Sequence, residues 1–273
     1  MNTNQTIKDI IAGIDVLLDA GEDAKAEEAL QNAIASYTAG EPDNLVGQSV
    51  LLNELGGFYR NRGIFDKGEA AYGKAKSLLE QIRGAVYQVK GPVPDSGCCT
   101  CGVPGSESCF PKDTGGETQC HTEVIFTSQS MTANYATTLN NLAGLYRMSG
   151  QLQKALDTFD EAIRVYENCT EPVVPDTRAS AYSNKGLVYL DMKQPEQART
   201  MFQMAREILE EGGDYPFALG TTLSNLGFAA VIEKKRSEAI AFFRAAKVLF
   251  DTAGNGEMAQ NCAECLSQLG VEP

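Results

Sequence analysis

Apolar and small residues recur along the chain at the spacing of amphipathic helices, in blocks that align with one another without gaps. Near the start of each full block, a polar pair is followed by one residue, apolar except at Lys185, and then by a small residue. A glycine or lysine comes seven positions after the small residue, a short residue after twelve, an aromatic residue after sixteen and an alanine after nineteen. Such blocks span residues 52–75, 139–162, 182–205 and 223–246, and a degenerate copy occupies residues 17–33.

This spacing predicts pairs of antiparallel helices that are joined by short turns. A small residue in the middle of the first helix, and a short residue twelve positions later, allow the two helix backbones to approach closely. The aromatic residue and the alanine after it lie on one face of the second helix. Because a single hairpin cannot bury both of its faces, neighbouring hairpins must stack into one continuous core. Met258, Cys262 and Leu266 share a face within residues 257–269, which predicts a single capping helix.

The pattern resembles the tetratricopeptide repeat (TPR), because seven positions recur in several copies over residues 7–82 and 129–253. The small residues lie 87, 43 and 41 positions apart, at Gly56, Ala143, Gly186 and Gly227. Repeats of about 42 residues with Thr-Leu-Asn-Asn-Leu-Ala at residues 138–143 are similar to those of kinesin light chains and their bacterial relatives. The resemblance implies an all-α fold, a right-handed TPR α-solenoid of about five helical hairpins plus a C-terminal cap helix.

Two residues depart from the pattern of that family. Lys185 stands where an apolar residue is usual, and Gly68 stands where alanine is usual.

Residues 84–128 interrupt the repeats with a stretch that is rich in glycine, proline and cysteine and lacks helical periodicity. We interpret them as an insertion after the second hairpin, and long insertions of this kind often carry function. The β-branched and aromatic residues of 85–90 and 122–127 predict two strands that pair as a β-hairpin. The predicted domains are hairpins one and two (1–83), the Cys/Gly/Pro-rich insertion (84–128), hairpins three to five (129–253) and the capping helix with its tail (254–273).

Five of the eight cysteines fall in this insertion, and their chemistry leaves three states open. Cys98 and Cys101 form a Cys-x2-Cys knuckle, which can present two thiolates to a tetrahedral zinc ion. Cys109, Cys120 and His121 could complete the ligand set, although their spacing does not match a standard second knuckle. The alternatives are a loop of reduced thiols without metal and a loop with disulfides. The sequence therefore predicts either no cofactor or zinc.

Polar residues of the first helices are candidates for binding a peptide on the concave side of the stack. Asparagines occupy the same place in three successive repeats, and an amide both donates and accepts hydrogen bonds, so a row of amides can pair with an extended peptide backbone. The alternative is that these amides bridge neighbouring repeats. The candidate peptide-binding residues are Asn141, Asn184 and Asn225 in the row itself, Asn53, Asn140, Ser183 and Ser224 one position earlier, and Arg60 and Arg147 towards the helix ends. Leu190 and Val231 stand in the place of the two arginines, so we expect a groove that is basic at one end and apolar at the other.

Composition restricts the partners of the protein. The net charge of −13 and the isoelectric point near 4.6 disfavour nucleic acid and anionic membranes as partners. The first residues lack the basic and apolar pattern of a secretory signal, so we expect a cytoplasmic protein. A single histidine, His121, and no recognisable catalytic motif predict that the chain is not an enzyme.

Two hypotheses of function follow from the sequence. The first is a non-catalytic scaffold that binds a peptide or protein segment, of unidentified origin, in the concave groove. The second is a protein that handles or senses zinc or thiols through the Cys-rich insertion, with the solenoid as its carrier.

Overall fold

Eleven α-helices make up the part of the chain that this computed structural model describes, residues 7–88, 122–169 and 173–272, with side chains described for 7–82, 132–169 and 173–272. The helices form five hairpins and one single helix: α1 (Ile7–Asp19) and α2 (Asp23–Gly40), α3 (Leu45–Asn61) and α4 (Phe65–Gln88), α5 (Thr122–Met148) and α6 (Leu152–Glu167), α7 (Pro175–Asp191) and α8 (Pro195–Gly212), α9 (Pro216–Ile232) and α10 (Arg236–Thr252), then α11 (Gly256–Gln268). The predicted five hairpins and terminal helix are confirmed.

The chain divides into two compact units, Met1–Thr138 and Leu139–Pro273. In the first unit, Ile14 and Leu30 of the first hairpin pack against Leu55, Phe58 and Tyr59 of α3. In the second unit, one apolar core runs from α8 through α9 and α10 to α11. A bilayer-spanning segment is not found among the described helices, each of which is too short or too polar.

Within a hairpin, the two helices are locked together by an aromatic ring that lies on a glycine. The ring of Phe202 in α8 lies so close to Gly186 in α7 that a Cβ atom there would be 2.5 Å from its Cε1 atom. Gly56 with Tyr72, and Gly227 with Phe243, repeat this contact at 2.6 and 2.7 Å. All three rings are almost completely buried, and burial raises the pKa of Tyr72 to about 12. The small residue that recurs in the sequence is thus the position on which the recurring aromatic ring packs.

The turn between the helices of a hairpin needs one residue in the left-handed region. Gly63 and Gly150 take this place with φ of 70° and 77°, but Lys193 and Lys234 take it with φ of 63° and 61°. Each turn is closed by backbone hydrogen bonds typical of a helix C-terminus; in the last hairpin the amide of Lys235 donates to the carbonyl of Ala230 at 2.8 Å. The seven-residue offset in the sequence marks this turn residue.

Charged side chains join the fourth hairpin to the fifth. Arg199 of α8 donates from Nε to Oε1 of Glu233, after α9, at 3.1 Å and from Nη1 to Oε2 of Glu238 in α10 at 2.8 Å. Hydrogen bonds from Arg199 lower the pKa of Glu233, against the opposing effect of burial. The pair is largely enclosed, with side-chain exposures of 15% for Arg199 and 7% for Glu233. Its geometry therefore fixes the stacking of these hairpins more than an exposed pair would.

The α11 helix covers the last hairpin as predicted from its pattern. Ala259, Cys262 and Leu266 are buried against the core, while the opposite face is polar and exposed. The guanidinium of Arg236 in α10 donates from Nε to the carbonyl of Leu269 at 3.1 Å, which satisfies a carbonyl at the end of the helix.

The predicted strands at residues 85–90 and 122–127 are wrong. The α4 helix continues to Gln88 and α5 begins at Thr122, so residues 85–88 and 122–127 are helical. Short apolar runs do not distinguish helix from strand. Extending an existing helix adds one hydrogen bond per residue, whereas an isolated two-stranded hairpin is only marginally stable in water. The remainder of the predicted insertion, residues 89–121, lies outside the described residues, and the predicted domain limits stay a prediction.

We predict that Gly56→Ala destabilises the protein by about 1–3 kcal/mol, because the added methyl group would overlap the ring of Tyr72. The neighbouring Gly57 is the matched control, since a Cβ atom there would be 3.6 Å from the Tyr72 hydroxyl, an ordinary contact. Gly57→Ala should raise stability by up to about 1 kcal/mol through helix propensity. Urea unfolding, followed by circular dichroism, measures the free energy of unfolding of both variants. Equal effects of the two substitutions would contradict the close packing of the Tyr72 ring on Gly56.

We predict that Lys234→Gly stabilises the protein by about 0.5–1 kcal/mol, because a lysine at φ of 61° is strained and a glycine is not. The reverse change, Gly150→Lys at the equivalent turn, should destabilise by a similar amount. Thermal unfolding of the two variants is the measurement, and a shift of both melting temperatures in the same direction would refute the explanation.

Candidate functional site

In the second unit the first helices of the hairpins lie on the inner side of the stack. The α7 helix packs directly against α9, whereas α8 and α10 meet chiefly through long side chains such as Arg199 and Glu238. Because the first helices are closer together than the second helices, the stack curves towards the first helices. We call their exposed side, from residues 139–148 of α5, α7 and α9, the inner face.

A row of three side-chain amides lies along the first helices that form the inner face. Asn141, Asn184 and Asn225 take equivalent places in α5, α7 and α9, and each is partly exposed. The Asn184 amide nitrogen is 3.4 Å from the Asn140 amide oxygen, at the outer limit of a hydrogen bond. Asn141 and Asn225 form no side-chain hydrogen bond with another described residue. The row therefore retains donors and acceptors for a ligand.

Two of the candidates that stand one position before the amide row, Asn53 and Ser183, form contacts between adjacent first helices. In the first unit, Asn53 of α3 donates from Nδ2 to Oγ1 of Thr138 in α5 at 2.8 Å. In the second unit, Ser183 of α7 and Thr222 of α9 have their hydroxyl oxygens 3.3 Å apart. Both threonines donate their own proton to a carbonyl four residues earlier, at 2.8 and 3.0 Å. Each threonine is therefore the acceptor in a hydrogen bond that joins two hairpins.

Ser224 and Asn140, the other two candidates of this set, have different surroundings. Burial raises the pKa of the Cys262 thiol in α11, and the hydroxyl of Ser224 in α9 acts against this effect. Asn140 differs, because the place of the threonine in α7 is taken by the buried Ala181. A role for Asn53, Asn140, Ser183 and Ser224 in binding a peptide stays a prediction. Ser183 and Ser224 are only 8% and 7% exposed, so they offer little surface to a ligand.

The inner face changes from charged to apolar along the second unit. Arg147 of α5 donates from Nε to Asp191 of α7 at 2.6 Å. At the other end, Phe228, Val231 and Ile232 of α9 are 45%, 42% and 50% exposed. In the first unit, Arg60 is partly exposed and its Nε donates to the Asn61 side chain at 3.3 Å.

Lys185, which departs from the apolar family pattern, is compensated by a neighbouring hairpin. Its ammonium group lies 2.5 Å from Oδ1 of Asp160 in α6 and 5.8 Å from the centre of the Tyr189 ring. The side chain is only 12% exposed, so its stem replaces apolar packing while its charge reaches the edge. Next to it, the Tyr182 hydroxyl donates to Glu167 at 2.6 Å.

The predicted metal ligands cannot be placed. Cys98, Cys101, Cys109, Cys120 and His121 lie outside the described residues. Within the described residues no group of three or more histidine, cysteine or acidic side chains could hold a metal ion, and Cys169, Cys262 and Cys265 are free thiols. The zinc and thiol hypotheses stay predictions.

Sequence reasoning missed the acceptor threonines. Thr138 and Thr222 both stand five positions before the small residue of their repeat. The alignment shows that the two threonines are equivalent. Only the packing of adjacent first helices shows that each hydroxyl accepts a hydrogen bond from the neighbouring hairpin.

Stacked antiparallel hairpins with an inner face of first helices define an α-solenoid, a repeat protein. Models of the tetratricopeptide repeat match residues 136–168 and residues 177–250. The chain is a tetratricopeptide repeat protein, as its sequence predicts, and proteins of this class typically act as non-catalytic scaffolds for protein partners.

Solved structures with the same fold include proteins of the kinesin-light-chain type. A putative kinesin light chain of Podospora anserina is similar with a TM-score of 0.56 at 12% identity, covering 93% of this chain and 99% of its own. BtubC (BKLC) of P. vanneervenii has a TM-score of 0.53 at 12% identity, covering 97% of this chain and 91% of its own. The apo form of RapI has a TM-score of 0.60 at 12% identity, covering 96% and 83%. A comparison with curated protein sequences found no match.

We predict that Ser183 and Thr222 are coupled in stability. Ser183→Ala and Thr222→Val should each destabilise the protein, and a double-mutant cycle should give a coupling of about 0.5–1 kcal/mol, the worth of one hydrogen bond. Thr221 provides the control, since its hydroxyl bonds only within its own helix, to Phe217. A cycle of Ser183→Ala with Thr221→Val should show no coupling; the same coupling in both cycles would argue against the bridge.

Proposed function

We propose that the chain is a non-catalytic scaffold that holds an extended segment of a protein partner along the inner face. The observation that carries this proposal is the row of partly exposed amides at Asn141, Asn184 and Asn225, which recurs at one place in three successive first helices.

The spacing of stacked helices suits an extended peptide. Adjacent helices pack with their axes about 8–10 Å apart, and an extended chain advances about 3.3 Å per residue. Amides on successive first helices would therefore meet the peptide backbone about every third residue. An amide can donate to a backbone carbonyl and accept from a backbone N–H, so such binding depends little on the side chains of the peptide.

The apolar end of the inner face would supply selectivity. Phe228, Val231 and Ile232 together expose apolar surface that gains free energy when a partner side chain covers it. Arg147 is engaged with Asp191, so its charge is partly neutralised before any ligand binds. We therefore expect a partner segment with a bulky apolar residue at one end rather than one selected by charge alone.

Three further observations support a scaffold. The inner face exposes amides and apolar groups, which suit binding without covalent chemistry. The structures of similar fold include a putative kinesin light chain, and the repeat family consists mainly of protein-binding scaffolds. The strongly negative net charge supports a protein partner over nucleic acid.

The proposal predicts that Asn141→Ala combined with Asn184→Ala weakens binding of a partner segment. Peptides selected on the whole chain from a random display library serve as ligands, and their affinities are measured by fluorescence anisotropy. Each lost hydrogen bond costs about 0.5–1.5 kcal/mol, so the double variant should bind roughly tenfold or more weakly.

The control is Gln203→Ala, which removes an exposed amide from α8, a second helix. This variant should bind like the original chain. The proposal fails if the selected peptides bind the Asn141→Ala/Asn184→Ala variant as tightly as the Gln203→Ala variant, or if no selected peptide binds at the inner face.

A further inference from the structure

An open groove lies between the two helices of the first hairpin. Its apolar walls are half-buried side chains of α1 and α2, with the exposed Gly13 in its floor. We call this surface the N-terminal groove; it is lined by Ile10, Gly13 and Leu17 of α1 and by Ala29, Ala33 and Tyr37 of α2.

The groove is the kind of surface that the other hairpins bury. The α3 helix packs against α2 through a different face, where Tyr59 reaches Glu27 and Gln31. Small residues on both helices leave room, and a Cβ atom at Gly13 would meet no atom within 4 Å. The Tyr37 wall is held in place, since its hydroxyl accepts from Asn44 at 3.1 Å. The groove is therefore open beside Gly13, between apolar side chains of both helices.

The hairpin around this groove is strongly acidic. Residues 7–41 contain eight acidic residues and two lysines. Asp23 and Glu27 are neutralised by Arg62 and Lys67 of the second hairpin, and Lys25 pairs with Glu22 at 2.8 Å. The charged residues that line the groove are Lys25, Glu28 and Glu41, and because Lys25 is paired with Glu22, the two glutamates leave the rim negative.

We propose that the N-terminal groove docks an amphipathic helix of a protein partner, with an apolar stripe and basic flanks. Apolar residues at positions i, i+3, i+4 and i+7 would enter between α1 and α2, and lysine or arginine residues beside them would face the acidic rim. A helix of about 13 residues, roughly 20 Å long, would match the length of α1. This proposal is independent of binding at the inner face.

Charge decides between this occupant and others. A second copy docked through the same groove would bring two acidic hairpins together, which is unfavourable. Residues 89–121 carry two lysines and four acidic residues among four prolines and six glycines, which is not the composition of a basic amphipathic helix. An anionic lipid surface would also be repelled.

The test uses two synthetic peptides of 14 residues and the full chain. Both peptides have leucines at i, i+3, i+4 and i+7, one with lysines and one with glutamates on the flanks. The lysine peptide should bind in fluorescence anisotropy, and the glutamate peptide should bind at least about tenfold more weakly. Raising the salt concentration from 50 to 300 mM should weaken binding of the lysine peptide, because salt screens the exposed charges.

Two neighbouring substitutions locate the binding. Gly13→Gln fills the groove and should lower the affinity for the lysine peptide by about tenfold or more. Ala12 is exposed on the side of α1 that faces away from the groove, so Ala12→Gln should leave this affinity unchanged. Circular dichroism checks that both variants are folded. The inner-face variant Asn141→Ala/Asn184→Ala should bind the lysine peptide like the original chain, so that failure here is distinguishable from failure of the proposed function.

Four outcomes would overturn the proposal. These are equal affinity for both peptides, no effect of Gly13→Gln, sedimentation of the original chain as a dimer that Gly13→Gln dissociates, and binding of the chain to phosphatidylserine vesicles that Gly13→Gln abolishes.

Discussion

The close contact between an aromatic ring and a position without a Cβ atom determines the geometry of this molecule. Gly186 and Phe202 illustrate it: the ring occupies the volume that a side chain on α7 would need. The two helices can then lie nearer to each other than larger residues would allow. Because the same contact recurs in the second and fifth hairpins, these hairpins present similar faces to their neighbours, and stacking can repeat.

Stacking of the hairpins depends on a second set of interactions, which are polar. Asn53 with Thr138 and Ser183 with Thr222 join adjacent first helices, and Arg199 with Glu233 joins the later hairpins on their other side. Apolar surfaces tolerate sliding, whereas hydrogen bonds require one register. The apolar core thus supplies most of the stabilisation, and these polar contacts specify how one hairpin sits on the next.

The sequence predicts the hairpins more reliably than it predicts their chemistry. Helix pairs, turn residues and ring positions follow from local spacing, and Lys193 and Lys234 are recognisable as turn residues only because glycines align with them. Residues 85–88 and 122–127 are helical although their β-branched and aromatic composition predicts strands, because composition takes no account of the helix to which each segment belongs. Ser183 is a candidate for ligand binding in the sequence because it aligns with Asn140, and the alignment does not show that its hydroxyl contacts that of Thr222, 39 residues later. Contacts between hairpins depend on tertiary geometry, which periodicity does not contain.

The first hairpin, in one unit, and the last hairpin, in the other, are finished in different ways. The last hairpin is covered by α11, whose exposed face is polar and includes Glu257 and Glu264. Among the described residues, none covers the apolar groove of the first hairpin, which acidic side chains adjoin. A polar, acidic end does not complement an apolar, acidic end, so head-to-tail stacking of copies would bury unpaired charge. The acidic side chains beside the groove would oppose contact with another acidic surface, and they favour a basic helix as its occupant.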